Sequence, residues 1–110
     1  MSDITSQSLS SLINNIKNKK LSSEDVTTAF IDRSEKSNEL NAYVTEDFSN
    51  AISKAKKFDE KPNFDLKLPG IPMAVKDLFC TKDIRTTAGS KILENFIPTY
   101  ESTVTQNIWN

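Results

Sequence analysis

One ammonium group interrupts the most apolar run of this chain. The stretch Ile71-Pro72-Met73-Ala74-Val75-Lys76-Asp77-Leu78-Phe79 reads as a strand covered on both faces, with Lys76 at its end. Side chains in a strand alternate faces, so Lys76 shares one face with Pro72 and Ala74, and Ile71, Met73 and Val75 share the other. Pro72 and Ala74 are small or rigid and leave room beside a long side chain. A lysine held there loses hydration, which disfavours its charged form and pulls its pKa down. Such a lysine can act as a general base near neutral pH. Periodicity alone leaves a second reading open, in which Lys76 ends the strand with its head in water and Asp77 beside it. The neighbouring candidates are plainer. Asp77 reads as a helix cap or a solvated charge, Cys80 as a small buried hydrophobe, and Ser90 as a turn serine.

Other chemistries are excluded by what the chain lacks. It has no histidine and one cysteine, which removes zinc-type sites, histidine-based triads and any internal disulfide from these 110 residues. A lone thiol fits a reducing compartment. The charge is nearly balanced, with 14 Lys and Arg against 15 Asp and Glu, so no basic field for phosphate backbones exists and direct nucleic-acid binding is not expected. No apolar run is long enough to span a membrane, and Met1-Ser2-Asp3-Ile4 lacks the charged start and apolar stretch of an export signal. A cytoplasmic location is expected.

The elements that must position Lys76 follow from periodicity. Leu9, Leu12, Ile13 and Ile16 recur at helical spacing and predict a helix from about Ser6 to Lys19. Ser22, with Asp25 three residues on, predicts the capped start of a second helix, with Val26, Ala29 and Phe30 on its apolar face, running to about Lys36. Asn41-Ala42-Tyr43-Val44-Thr45 predicts a short strand. A third helix opens at Glu46-Asp47, repeats Phe48, Ala51, Ile52, Ala55 and Phe58, and ends near Asp59. A polar connector leads to Leu68-Pro69-Gly70, then to the lysine strand and the turn-forming Arg85-Thr86-Thr87-Ala88-Gly89-Ser90-Lys91. A last helix begins near Glu101, with Ser102 as its cap. It stops mid-pattern at Ile108-Trp109-Asn110 without the usual stop signal. The apolar fraction is 36%, low against about 45–50% for globular chains. Thin core and unfinished helix together predict a longer protein.

Leu68-Pro69-Gly70-Ile71-Pro72-Met73-Ala74-Val75-Lys76-Asp77 resembles the lysine strand of the amidase signature enzymes. The following "TKDIRTTAGSKILENFIPTYESTVTQNIW" narrows the resemblance, within that family, to the A subunits of tRNA-dependent amidotransferases. The "NAYVTED" segment also has a counterpart there, so the resemblance covers essentially the whole chain.

This resemblance implies an α/β fold, a mixed sheet flanked by helices. Residues 1–110 would be the N-terminal part of one such domain, truncated at its C-terminus: residues 1–60 a helical leader with a short strand, residues 68–110 the lysine strand and the following helix. It implies carboxamide hydrolysis by a serine–cis-serine–lysine triad, in which Lys76 is the base and takes a proton from the cis-serine. Both serines lie in a Gly/Ser-rich region beyond Asn110 in the family. Ser90 and Ser102 do not sit in that context, so Lys76 is the one catalytic residue carried over, and these 110 residues alone are expected to be inactive. The implied reaction hydrolyses glutamine and passes ammonia to a partner protein, the B subunit of the amidotransferase. That partner uses ATP and Mg to activate the glutamate on Glu-tRNA(Gln) and contacts the tRNA, while a small C subunit wraps the pair. No cofactor is implied in this chain and no membrane is involved. Two rivals remain: within what the resemblance implies, another amidase signature carboxamide hydrolase, and from the residues themselves, a non-catalytic helical interaction module with a solvated Lys76.

Overall fold

The computed structural model describes residues 3–110. Among them the regular elements are the helices α1 (Leu9–Lys17), α2 (Ser23–Lys36), α3 (Phe48–Glu60) and α4 (Thr103–Trp109), with short 3-10 turns at Ile4–Ser6, Asn38–Leu40 and Lys91–Leu93. No strand forms among the described residues; the sole β contact is an isolated bridge between Thr81 and Ile84. The chain divides into two compact units, Met1–Ala42 with Phe48–Pro72, and Tyr43–Asp47 with Met73–Asn110.

The first unit is built on the apolar faces of its three helices. Leu12 and Ile16 of α1 and Val26 of α2 are buried together, with Ile4, Leu21, Phe58 and Ile71 packed against them. Each fully buried aliphatic side chain of this kind contributes about 1.5–3 kcal/mol. Ser8 caps α1 by accepting from Ser11 N at 3.2 Å. At the other end the Lys20 amide donates to Asn15 O at 2.9 Å and the Lys19 amide to Ile16 O at 3.0 Å. That pattern is a Schellman motif, but its left-handed position is held by Lys19, at φ 56°, where glycine is usual.

The start of α2 is satisfied on every side. A helix leaves its first four N–H groups without intrahelical partners. Here the Ser22 amide donates to Asp25 Oδ2 and the Asp25 amide to Ser22 Oγ, both at 2.9 Å, which completes the capping box. The two amides between them, Ser23 and Glu24, donate to the two oxygens of Asp59, at 2.8 and 2.9 Å. Asp59 lies in the last turn of α3, so its carboxylate joins the end of one helix to the start of another. Ser23 Oγ then donates to Gly70 O at 2.7 Å. Gly70, at φ 69°, lies against the Phe58 ring and Ser23. Phe58 also meets Phe64 edge-on, with ring centroids 5.8 Å apart. These contacts bring the Leu68-Pro69-Gly70 turn onto the α2–α3 junction.

The second unit has a different interior. Its buried side chains include Thr81, Thr86, Thr87, Thr105 and Pro98, whereas Met73, Leu78, Ile92 and Tyr100 are exposed. Hydrogen bonds hold it together. Arg85 donates through Nε to Glu94 O at 2.5 Å, and through one terminal nitrogen to Val44 O at 3.3 Å and Thr45 Oγ1 at 3.2 Å. Its fork ties segment Tyr43–Asp47 to the loop that follows Lys76. The amides of Asp83 and Thr86 donate to Pro98 O and Phe96 O, at 2.9 and 3.0 Å. Ser102 caps α4, and Cys80 O accepts from Ser102 N at 2.8 Å and Thr105 Oγ1 at 3.3 Å.

The helices match the sequence reading closely; the expected first strands do not form. A strand exists only by pairing, because its backbone groups have no partners within the segment. Asn41 instead adopts a left-handed conformation, φ 49°, that closes the 3-10 turn Asn38–Leu40, and Val44 O is taken by a side chain. Residues 71–76 are irregular and enter no ladder.

Candidate active site

Lys76 closes this irregular run and opens a turn. Its carbonyl accepts from Leu78 N at 2.8 Å and Phe79 N at 3.0 Å. The side chain is exposed, and among the described residues nothing forms an ion pair with its ammonium. The buried face expected for Lys76 is therefore not supplied by these residues, because no neighbouring strand lies beside 71–75 to enclose it. Met73 is likewise exposed, at 41%, whereas Ile71 packs into the core of the first unit.

Asp77 is neither a helix cap nor a free surface charge. Its Oδ1 accepts from Thr87 N at 2.8 Å, its Oδ2 accepts from Thr87 Oγ1, and its backbone carbonyl accepts from Ala88 N at 2.7 Å. Thr87 Oγ1 in turn accepts from Gly89 N at 3.2 Å. The Thr87 hydroxyl and amide, aided more weakly by the Gly89 amide and the Arg85 charge, hold the Asp77 carboxyl below the usual carboxylate range. The partner segment is a tight turn: Ala88 and Gly89 have φ of 50° and 68°, and Ser90 N donates to Thr87 O at 2.9 Å. Positive φ at both central residues is the I′ arrangement.

The other candidates have structural roles. Ser90 Oγ accepts from Ile92 N at 3.3 Å, and Ser102 Oγ accepts from Thr105 N at 3.2 Å and lies 2.8 Å from Thr105 Oγ1. Neither hydroxyl sits against a base. Cys80 is half-buried and its sulfur lies 3.4 Å from Tyr100 Oη; a sulfur that accepts from the phenol O–H and carries negative charge opposes the phenolate, so the Tyr100 pKa is raised above its ordinary value. Among the described residues no cluster of acidic or thiol groups could hold a metal ion. An open groove between α2 and α3 is lined by Glu24, Lys56, Asp59 and Glu60 and does not include Lys76. No helix among the described residues is long and apolar enough to cross a membrane. The arrangement thus leaves Lys76 exposed beside an Asp77 that is held by Thr87 and Ala88.

The chain belongs to the amidase family, whose model matches residues 25–110 and so includes Lys76, Asp77 and Thr87. It is 76% identical over 110 residues to the A subunit of glutamyl-tRNA(Gln) amidotransferase from Pelagibacter ubique strain HTCC1062. The proteins of the same name from Rickettsia bellii strain OSU 85-389 and Hyphomonas neptunium strain ATCC 15444 are 48% and 46% identical over 112 residues. Each alignment takes in all of this chain, which spans 23% of the length of these relatives.

Proposed function

We propose that the protein carrying these residues is the glutamine-hydrolysing A subunit of a glutamyl-tRNA(Gln) amidotransferase. The observation that carries this reading is the 76% identity to a relative of that name, sustained across all 110 residues. Lys76 is its base. The amine takes a proton from a cis-serine, which activates the nucleophilic serine against the glutamine carboxamide, the usual way to make a weak nucleophile reactive. Backbone N–H groups near that serine stabilise the oxyanion of the tetrahedral intermediate. Both serines belong to the part of the protein beyond these residues.

In this reading Ile71–Val75 pairs into a mixed sheet flanked by helices, where its neighbours enclose Lys76. The amidase family match over residues 25–110 and the exposed apolar side chains of the second unit support it. The ammonia goes to the B subunit, which binds Glu-tRNA(Gln), ATP and Mg, and the small C subunit wraps the pair. The near-neutral charge of this chain supports the assignment of tRNA contact to the partner. The setting is the cytoplasm.

The test is expression of the complete reading frame with its two partner proteins, followed by measurement of glutamate release and of Gln-tRNA(Gln) formation. Lys76→Ala is expected to lower glutaminase turnover by about 10²–10⁴-fold, the usual contribution of a positioned base, with an unchanged circular dichroism spectrum. Activity close to that of the unsubstituted enzyme would refute the base assignment. Brisk turnover of simple aliphatic amides without the partners would instead identify a general carboxamide hydrolase.

A further inference from the structure

Lys76 is a flexible side chain whose reach is set by the backbone at its root, and that root is tied down by its neighbour. We propose that Asp77 and Thr87 are positioning residues for Lys76, forming a staple that fixes the backbone from which the amine projects. The inference rests on the reading of Lys76 as the base.

Three observations on one short segment carry it. The Lys76 carbonyl closes a turn onto Leu78 and Phe79, which sets the direction of the chain as it leaves the lysine. The next residue is held at three points: two carboxylate oxygens on Thr87 and a backbone carbonyl on Ala88. Thr87 is itself buried, at 4% exposure, and its hydroxyl joins Asp77 to the Gly89 amide across the turn. Both oxygens of Asp77 are thus engaged by Thr87, and no ion pair joins Asp77 to Lys76 among the described residues. Its effect on the lysine runs through geometry. A displaced base loses catalysis steeply, about 10²-fold for an ångström of misplacement.

The conservative variants separate geometry from charge. Asn at position 77 can still accept from Thr87 N through its oxygen and donate to Thr87 Oγ1 through its amide nitrogen, so it keeps the staple and drops the charge. Ser at position 87 keeps the hydroxyl and the amide; Val keeps only the amide.

The experiment measures glutamine hydrolysis by the full-length protein in its complex, with kcat and KM determined separately for Asp77→Ala, Asp77→Asn, Thr87→Val and Thr87→Ser, and Lys76→Ala as reference. Asp77→Ala and Thr87→Val are expected to lose kcat by about ten- to a hundredfold, the range of a base displaced by up to an ångström, with KM nearly unchanged. Asp77→Asn and Thr87→Ser are expected to retain most of kcat. Unchanged kcat in folded Thr87→Val overturns the proposal, as does equal damage from Ser and Val at position 87. Asp77→Asn as impaired as Asp77→Ala also overturns it, because charge would then be what matters. If Lys76→Ala is inactive while the staple variants work normally, only the staple falls. If Lys76→Ala remains active, the base reading itself fails.

Discussion

Gly70 and Gly89 provide a matched pair for testing how the first unit is held together. Both have left-handed backbones, φ 69° and 68°, so alanine at either position meets the same backbone penalty, about 1–2 kcal/mol for an L-residue in that conformation. Their surroundings differ. A Cβ at Gly89 meets nothing within 4 Å, whereas at Gly70 it lies 2.8 and 2.9 Å from two carbons of the Phe58 ring and 3.1 Å from Ser23 Cβ. The Phe58 ring is packed against the core and against Phe64, so it cannot give way without disturbing both. Overpacking of this kind costs about 1–3 kcal/mol more. Gly70→Ala is therefore expected to destabilise by about 2–4 kcal/mol and Gly89→Ala by about 1, after alanine's smaller unfolded-state entropy is credited. Amide hydrogen exchange reads the two independently. In Gly70→Ala, protection should fall at Ser23, Glu24 and Val26, whose amides lie at the α2 junction. In Gly89→Ala, loss should be confined to the turn amides Ala88 and Ser90. Equal effects from the two substitutions would show that backbone conformation alone matters and that the Phe58 contact is not tight.

Asp59→Ala should cost about 1–2 kcal/mol, the range for a lost helix cap, seen as faster exchange of the Ser23 and Glu24 amides; Asp59→Asn, which keeps one acceptor, should recover part of it. Lys19→Gly should stabilise α1 by about 0.5–1 kcal/mol by relieving a left-handed non-glycine residue, raising the urea midpoint. The depressed pKa of Asp77 predicts an acid limb with a definite sign. Its folded-state value lies below the ordinary 3.8 of an aspartate, so its contribution is present above that value and is lost as pH falls through the folded one. Asp77→Asn should lower stability at neutral pH and flatten this part of the urea-midpoint profile; an unchanged acid limb would contradict it.

The helices are legible because their signals are local. The Leu9, Leu12 and Ile16 spacing and the Ser22–Asp25 capping box act within one or two turns, and α2 begins at Ser23 as the box requires. Ser102 as the cap of α4 is readable for the same reason. The absence of strands at 41–45 and 71–75 is not, since their residue types report a preference for extended backbone and say nothing of whether a partner lies alongside. Lys76 stands out by its place in an apolar run, and the structure puts its side chain in solvent among the described residues. Asp77 reads locally as a cap or a surface charge because its partner, Thr87, is ten residues away across a turn. The Thr-Thr-Ala-Gly-Ser composition announces that turn without naming what it binds.

Composition and short-range pattern are enough to establish a helical leader, the exclusion of histidine and disulfide chemistry within these residues, and one lysine in the context of the amidase signature. The carboxylate of Asp59 on the start of α2, the fork of Arg85 on Val44 and Thr45, and the grip of Asp77 on Thr87 are decided by the fold. Each joins groups from ten to about forty residues apart, where pairing depends on which surfaces the packed helices and turns bring face to face. Local preferences act over a few residues; contacts across such gaps exist only once the chain has closed on itself.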